Sequence, residues 1–495
     1  MSYLQLLALA APETIVVLAA LAVLTADLTA LRGLEPRFRR WIGGMIAGMG
    51  CVAAIGWMLA MPQQADFQSG MLVVDPLTRL VKVGLLALAL FTLVVSLEAD
   101  FTSHQGEYFA LVLLATVGMM LLVSAEDILM VFLSLELTSL SLYVLTAFNK
   151  QSRFSAEAAL KYFLFGGMSA AFTLFGFSLL YGLSGATNLG QIAAAIRGRE
   201  LDPLLLVALV MTVLGFGFKL AAAPFHLWAP DVYEGAPVPS AAFVASGSKV
   251  AGFFIFAKVM LLGFAGAEGS GSWHAFRSGW IPLVAVVAAL SMVLGNLVAI
   301  VQVSVRRLVA YSAVAHGGYT LLGLLAHNSQ GLEALVYYAF TYALTVLGTF
   351  AVVAVVEQET GGSRLQDFAG LSRRAPGLSL CLLIFLLSLA GLPPLAGFLG
   401  KFYLFAATLQ GDPHSLGSLW LVILAVGMSA VSLYYYLQVL KQVYVAGVPS
   451  GAAPMRTPWS IQVAVSVLAF AVVALGCVPQ TFLAPLTEAL RVVGL

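Results

Sequence analysis

Charge is what this 495-residue sequence has least of. Asp, Glu, Lys and Arg make up 9% of it and hydrophobic residues 61%, where a soluble domain carries about 25% charged residues. That imbalance excludes an ordinary soluble domain and describes an integral membrane protein. The formal net charge is +1, so the balance gives no reason to expect nucleic acid or a strongly charged partner. Cysteine is nearly absent. Cys51, Cys381 and Cys477 stand far apart in apolar runs, which excludes a disulfide framework and a cysteine metal cluster. Also missing are a strand-flanked GxGxxG, a P-loop, a paired CxxC and histidine pairs spaced to hold haem between helices. The Gly-rich run 266–272 is a loop between apolar runs, with no reason to cradle a phosphate. Redox chemistry and ATP hydrolysis are therefore not expected in this chain. The opening Met1-Ser-Tyr-Leu-Gln lacks the basic region and small-residue cleavage site of a signal peptide, so the first apolar run reads as a retained span.

What is present is apolar length. A helix rises about 1.5 Å per residue, so about 20 apolar residues cross about 30 Å of hydrocarbon. About fourteen runs meet that measure, centred near 18, 50, 88, 116, 138, 171, 217, 252, 290, 315, 345, 392, 430 and 471. Of the Lys and Arg outside these runs, 13 fall on one set of alternate loops, among them Arg37, Arg39, Arg40, Arg306, Arg307, Arg373 and Arg374. Four (Arg197, Arg199, Arg277, Arg491) fall on the other. The first set is expected to face the cytoplasm, which puts both termini on the periplasmic side. The chain 1–495 thus reads as a single polytopic membrane domain. It comprises a three-span segment 1–105, a unit 106–265, a second unit 278–445 and a C-terminal helix 458–495.

The two central units resemble each other. Ala159-Leu-Lys-Tyr-Phe-Leu-Phe165 lies over Ala334-Leu-Val-Tyr-Tyr-Ala-Phe340, an offset of 175 residues. Under a similar offset the seventh span meets the twelfth, and both are overlong and interrupted. The seventh holds Lys219 and then Pro224; the twelfth holds Gly391-Leu-Pro393-Pro394 and then Lys401. The offset is five spans, an odd number, so the second unit enters from the opposite side. Spans four to eight and nine to thirteen form two inverted five-helix repeats. Paired proline-broken spans in the two halves of a membrane protein point to a transport site.

Six of the seven basic residues inside spans are lysines: Lys82, Lys161, Lys219, Lys249, Lys258 and Lys401, with Arg79 the exception. A buried lysine costs about 2.5–3.5 kcal/mol on insertion scales, and unlike arginine it can give up its proton. Glu136 is the acidic side chain expected near the midplane, about 13 Å into the fifth span by helical rise. Lys249 is also read as central. Lys258, nine residues on, faces another way and either snorkels outward or joins the path. His316 sits midway along the tenth span, and Tyr338, Tyr342 and Thr345 form an i, i+4, i+7 stripe on the next. These are candidates for a hydroxyl and water relay, with a packing histidine as the alternative. Lys401 is read as the repeat counterpart of Lys219. Glu157 and Lys161, spaced i, i+4, pair on one helix face. A carboxylate about 4 Å from an ammonium contributes about 4 kcal/mol at an effective dielectric of about 20. Relative movement of Glu136 and Lys219 would be enough to switch the charge on the lysine.

The run Pro224-Phe-His-Leu-Trp-Ala-Pro-Asp-Val-Tyr-Glu-Gly-Ala-Pro-Val-Pro239 resembles the signature of antiporter-like subunits of respiratory complex I and of Mrp-type cation/proton antiporters. Asp231-Val-Tyr-Glu-Gly-Ala-Pro237, Ser248-Lys249-Val-Ala-Gly-Phe, Leu133-Ser-Leu-Glu136-Leu and Glu157-Ala-Ala-Leu-Lys161-Tyr-Phe are similar to the subunit N group of the bacterial proton-translocating NADH:quinone oxidoreductase. The resemblance implies an all-α membrane fold of fourteen helices, with helices 7 and 12 discontinuous. It implies Glu136 and Lys219 as the input pair of a proton channel, Lys249 as the connecting lysine and Lys401 as the exit-side residue. His226 would be a secondary polar contact in the second part of the broken seventh helix, and Glu157 and Lys161 would line the cytoplasmic mouth. It further implies other membrane subunits of the complex as partners in a bacterial inner membrane. No cofactor is expected in this chain; flavin, iron–sulfur clusters and quinone belong to other subunits. Two alternatives stay open: an Mrp-type antiporter subunit, and a non-conducting scaffold whose buried lysines serve packing.

Overall fold

A computed structural model describes residues 9–60, 65–67, 71–198, 201–273, 275–411, 417–448 and 454–493. Arg199 and the opening residues 1–8 lie outside the described residues. Three helices come first: α1 (Ala11–Leu28), α2 (Pro36–Ala60) and α3 (Pro76–Ser96). The first unit holds α4 (Gln105–Ser124), α5 (Ile128–Thr146), α6 (Arg153–Ser184), the pair α7 (Pro203–Lys219) and α8 (Trp228–Gly235), and α9 (Val238–Ala245) running into α10 (Gly247–Lys258). The second holds α11 (Trp280–Ile300), α12 (Val305–Leu325), α13 (Ser329–Thr360), the pair α14 (Pro376–Ala390) and α15 (Ala396–Gln410), and α16 (Leu419–Tyr444). α17 (Trp459–Cys477) and α18 (Gln480–Val493) close the chain.

Twelve spans among the described residues are long and apolar enough to cross a membrane, and α7 and α14 are shorter apolar helices. Each of those two continues beyond a break through α8 or α15, which makes the expected fourteen. This is a multi-pass all-α membrane protein. The described residues add one two-stranded ribbon, Ala65–Phe67 with Leu72–Val74.

Local chemistry sets the helix ends. Asp75 accepts from the backbone N–H of Thr78 at 2.7 Å, with Pro76 in the first turn of α3. Asp202 does the same for Leu205 at 2.7 Å, ahead of Pro203 in α7. Such caps satisfy N–H groups that the helix itself leaves unbonded. α6 and α13 match in detail: each has 32 residues, a side-chain N-cap (Ser152, Asn328) and a left-handed glycine after its last turn (Gly185, Gly361). The isolated bridges Asp127–Asn188 and Ser304–Arg364 also correspond. The ends of these two helices put the repeat offset at 176 residues, one more than the sequence alignment. Gly215 lets α7 press against α6, because a Cβ there would collide with the Thr173 hydroxyl. Small residues permit this approach where no hydrophobic force acts between helices.

Buried charge holds the three-helix segment together and joins it to α4. Lys82 of α3 meets Glu13 of α1 at 2.6 Å, with side chains 2% and 6% exposed. Asp27 of α1 takes the Arg39 guanidinium at 2.8 and 2.9 Å and the backbone N–H of Gly106 at the start of α4.

Candidate polar axis

The axis starts where the seventh span stops. α7 ends at Lys219, and 220–227 run irregularly before α8. This leaves carbonyls that no helical N–H reaches, a state tolerated at membrane depth only where protein or a cavity surrounds it. The Lys219 ammonium, buried, donates to Ser139 Oγ of α5 at 3.1 Å. Glu136 lies one turn from Ser139. A cavity of about 20 Å³ connects them, lined by Glu136, Ser139, Tyr143, Ser169, Thr173 and Lys219 among others. That is room for about one water with polar partners. Glu136 and Lys219 thus share a site but make no direct ion pair. The two groups expected from the sequence as an input pair face this one cavity, with Lys219 bonded to Ser139 and not to Glu136.

Lys249 stands near the middle of the span Val238–Gly263. Its ammonium donates to Leu220 O, the first carbonyl after Lys219, at 3.2 Å and to Ala313 O of α12 at 2.9 Å. One cation therefore bridges the break of the first repeat to a helix of the second. Beyond Phe253, Thr320 and Tyr342, with no space for a water, lies His316. Its Nδ1 shares a hydrogen bond with Tyr338 Oη at 2.6 Å and its Nε2 with Tyr436 Oη at 3.1 Å. Tyr436 is in turn bonded to Ser312. A second small cavity of about 10 Å³ touches His316, Tyr338, Tyr342, Thr345 and Ser388. The histidine is held by tyrosines on two helices rather than packed in an apolar face.

At the far end the Lys401 ammonium donates to Leu389 O at 3.0 Å, Ala390 O at 3.1 Å and Ser429 Oγ at 2.8 Å. It also sits 5.0 Å from the centre of the Tyr319 ring. The two carbonyls end α14, where the helix dipole favours a cation. Lys401 is not the positional counterpart of Lys219. Lys219 closes the first half of its broken span, whereas Lys401 stands in the second half, on α15, and reaches back across the break.

The six lysines fall into two groups. Lys82 pairs with Glu13, Lys161 with Glu157 and Asp231, and Lys258 with Glu126 at 2.9 Å. Lys219, Lys249 and Lys401 are buried and have only hydroxyl and carbonyl partners among the described residues. Lys258 differs from the other three in having a carboxylate partner, and it also donates to Val123 O at 3.4 Å. That carboxylate, Glu126, lies in the short connection between α4 and α5. His226 lies in the turn before α8 rather than in the second helix. Its ring meets Tyr311 edge-on at 6.1 Å, and its Nδ1 is buried without a partner. The Glu157–Lys161 pair forms at 2.7 Å as expected from its spacing.

Several polar contacts were not anticipated from sequence. Ser139 was findable, one helical turn from Glu136. Tyr436, Ser429, the Asn296 contact with Tyr319 at 2.9 Å and the Tyr435 contact with Asn296 at 3.0 Å were not. Their partners lie on other helices, and a tyrosine in an apolar run carries no sign of what it bonds. Asp231 and Glu234 were part of a motif without a stated task. Both bind Arg307, at 2.8 and 3.0 Å.

Two inverted five-helix units, each with a broken helix beside a buried lysine, define the class of antiporter-like membrane proteins. Comparison with known proteins narrows this. Residues 125–432 match the family described as NADH:quinone oxidoreductase/Mrp antiporter, TM. The NADH-quinone oxidoreductase subunit N 2 of Acidobacterium capsulatum is 53% identical over 97% of this chain and 98% of its own. Subunit N of Moorella thermoacetica is 38% identical over 94% and 95%. A chain of respiratory complex I from Thermus thermophilus superposes with a TM-score of 0.79 at 33% identity, covering 96% of this chain and 98% of that one. A chain of the Mrp complex from a Dietzia species gives 0.82 at 20% identity, covering 98% and 97%, a likeness of fold. The chain belongs to the NADH:quinone oxidoreductase/Mrp antiporter membrane family, within its NADH-quinone oxidoreductase subunit N group.

Proposed function

We propose that this chain conducts protons across the membrane as an antiporter-like subunit of an NADH:quinone oxidoreductase, coupled to quinone reduction in other subunits. The observation that carries the proposal is the sorting of the lysines. Where a buried lysine is structural it has a carboxylate, as Lys82 and Lys258 do. Lys219, Lys249 and Lys401 have no carboxylate within ion-pair distance among the described residues, Glu136 facing Lys219 only across the small cavity, and they are spaced between the two helix breaks with His316 among them. An ammonium held by carbonyls and hydroxyls is free to change its charge. One locked against a buried carboxylate is not, because separating that pair costs about 3–5 kcal/mol.

Glu136 and Lys219 take up the proton through the small cavity they share. Lys249, held between the Leu220 and Ala313 carbonyls, passes it from the first repeat to the second. His316, between Tyr338 and Tyr436, relays it, and Lys401 is the last carrier. Glu157 and Lys161 line the mouth. The arginine-rich end faces the cytoplasm of a bacterial inner membrane, with both termini on the periplasmic side. The chain itself needs no flavin, iron–sulfur cluster or quinone; these reside in partner membrane and redox subunits. A partly exposed Glu136 in the middle of a span supports a neighbouring membrane subunit over that face, since a carboxylate against lipid is costly.

The test is Lys219→Ala in the native complex, with NADH:quinone activity, proton-gradient formation and assembled complex measured on the same membranes. Normal assembly with a strongly reduced gradient supports the proposal. Normal assembly with normal pumping refutes it and leaves the scaffold reading. Should assembly fail, Lys219→Gln and Lys249→Ala carry the same two outcomes.

A further inference from the structure

Two consecutive arginines at the start of α12 grip the second half of the broken seventh span. Arg307 Nη1 donates to Asp231 Oδ1 at 2.8 Å and to Glu234 Oε2 at 3.0 Å, both on α8. Arg306, 4% exposed, donates from Nε to Tyr233 O at 2.7 Å and from Nη2 to Ala236 O, the last carbonyls of α8. Its Nη1 binds Glu357 of α13 at 3.0 Å. On the other side of α8, Asp231 Oδ2 accepts from Lys161 of α6 at 2.7 Å, and Lys161 also pairs with Glu157. α8 is short and follows an irregular segment. Apart from packing, these bonds and the indole N–H of Trp228, which donates to Phe218 O at 3.0 Å, fix where it stands.

The same two elements meet again at Lys249. Ala313, six residues after Arg307 on α12, and Leu220, at the start of the break that leads into α8, supply the two carbonyls that hold its ammonium. Ala223 N in that break donates to Ser291 Oγ of α11 at 2.8 Å. The contacts close a loop: α8 to α12 through Asp231 and Arg307, α12 to the break through Ala313 O, Lys249 and Leu220 O, and the break back to α8. If α8 and α12 separate at the arginine end, the distance between the two carbonyls changes, and Lys249 cannot keep both.

We infer that Arg307, with Asp231 and Glu234, is a positioning residue for proton transfer at Lys249: it sets the spacing of α8 and α12, and so of the Leu220 and Ala313 carbonyls between which the ammonium is held. The inference rests on the proton-path reading given above. It assigns Arg307 a task that a membrane-anchoring arginine would not have.

The experiment uses the full complex in native membranes and compares R307M, R307K, D231N and K219A for the rate of NADH-driven proton translocation per assembled complex. R307M is expected to assemble and to translocate about tenfold less, since misplacing a reacting group by about 1 Å can cost up to about a hundredfold. R307K keeps the positive charge but not the guanidinium geometry and is expected to restore part of the loss. A residue that only stabilises the fold would lower the amount of assembled complex and leave translocation per complex unchanged, and that result overturns the inference. Should R307M not assemble, the double variant D231N with E234Q, which removes both carboxylate charges that hold Arg307, is read by the same criterion, and D231N alone is expected to show a smaller loss in the same direction. Loss in K219A with wild-type translocation per complex in R307M, or in the D231N/E234Q double variant, overturns this inference alone. Wild-type translocation in K219A overturns the proton path and this inference with it.

Discussion

The sharpest local test is Gly391→Ala. Gly391 ends α14 with φ of 84°, a left-handed conformation that costs an L-residue about 1–2 kcal/mol. A Cβ there would also stand 3.0 Å from Lys401 Cδ and 3.2 Å from Lys401 Nζ. The lysine stem must move by a few tenths of an ångström, and its ammonium is already committed to Leu389 O, Ala390 O and Ser429 Oγ. Losing one of these bonds costs about 1.5–3 kcal/mol, the range for hydrogen bonds to charged groups. The two effects together come to about 2.5–5 kcal/mol. Gly427→Ala is the control. Gly427 lies inside α16 with nothing within 4 Å of the added Cβ, so the change is neutral or stabilising by up to about 1 kcal/mol. The assay is heat-induced loss of assembled complex, followed by proton translocation per complex. Gly391→Ala should lower the midpoint and reduce translocation, while Gly427→Ala should do neither. A Gly391→Ala complex as stable and as active as wild type would refute the claim that Lys401 is held tightly against the end of α14.

Three further expectations concern groups at other depths. Glu13→Gln leaves Lys82 buried without its counter-ion and should destabilise the three-helix segment by about 3–5 kcal/mol, seen as less assembled complex at unchanged translocation per complex; Glu13→Leu with Lys82→Met should recover assembly. Lys258→Met should behave like Glu13→Gln in both measurements, because Lys258 pairs with Glu126 and not with any group of the axis; reduced translocation per complex would put it on the path. Tyr436→Phe removes the hydroxyl bonded to His316 Nε2 and Ser312 and should slow translocation by about tenfold or more, the low end of what positioned acid–base groups contribute; an unchanged rate would leave His316 as a packing residue.

The spans, the two breaks and the lysines beside them were legible in the amino-acid sequence for one physical reason. In hydrocarbon a backbone must satisfy its own hydrogen bonds within about 20 residues, so crossing the membrane is a local property. An interruption such as Pro224 or Pro393-Pro394 is equally local. The Glu157–Lys161 pair was legible because i, i+4 neighbours share a helix face. What each buried lysine touches was not local. Lys82 finds Glu13 on another helix, Lys258 finds Glu126, and Arg307 finds Asp231 76 residues away. Lys249 is held by carbonyls 29 and 64 residues distant, which no side-chain pattern records. Sequence alone could count the buried charges. Only the packing of helices decided which are locked to carboxylates and which rest on carbonyls and hydroxyls, and that difference separates the structural lysines from those assigned to the proton path.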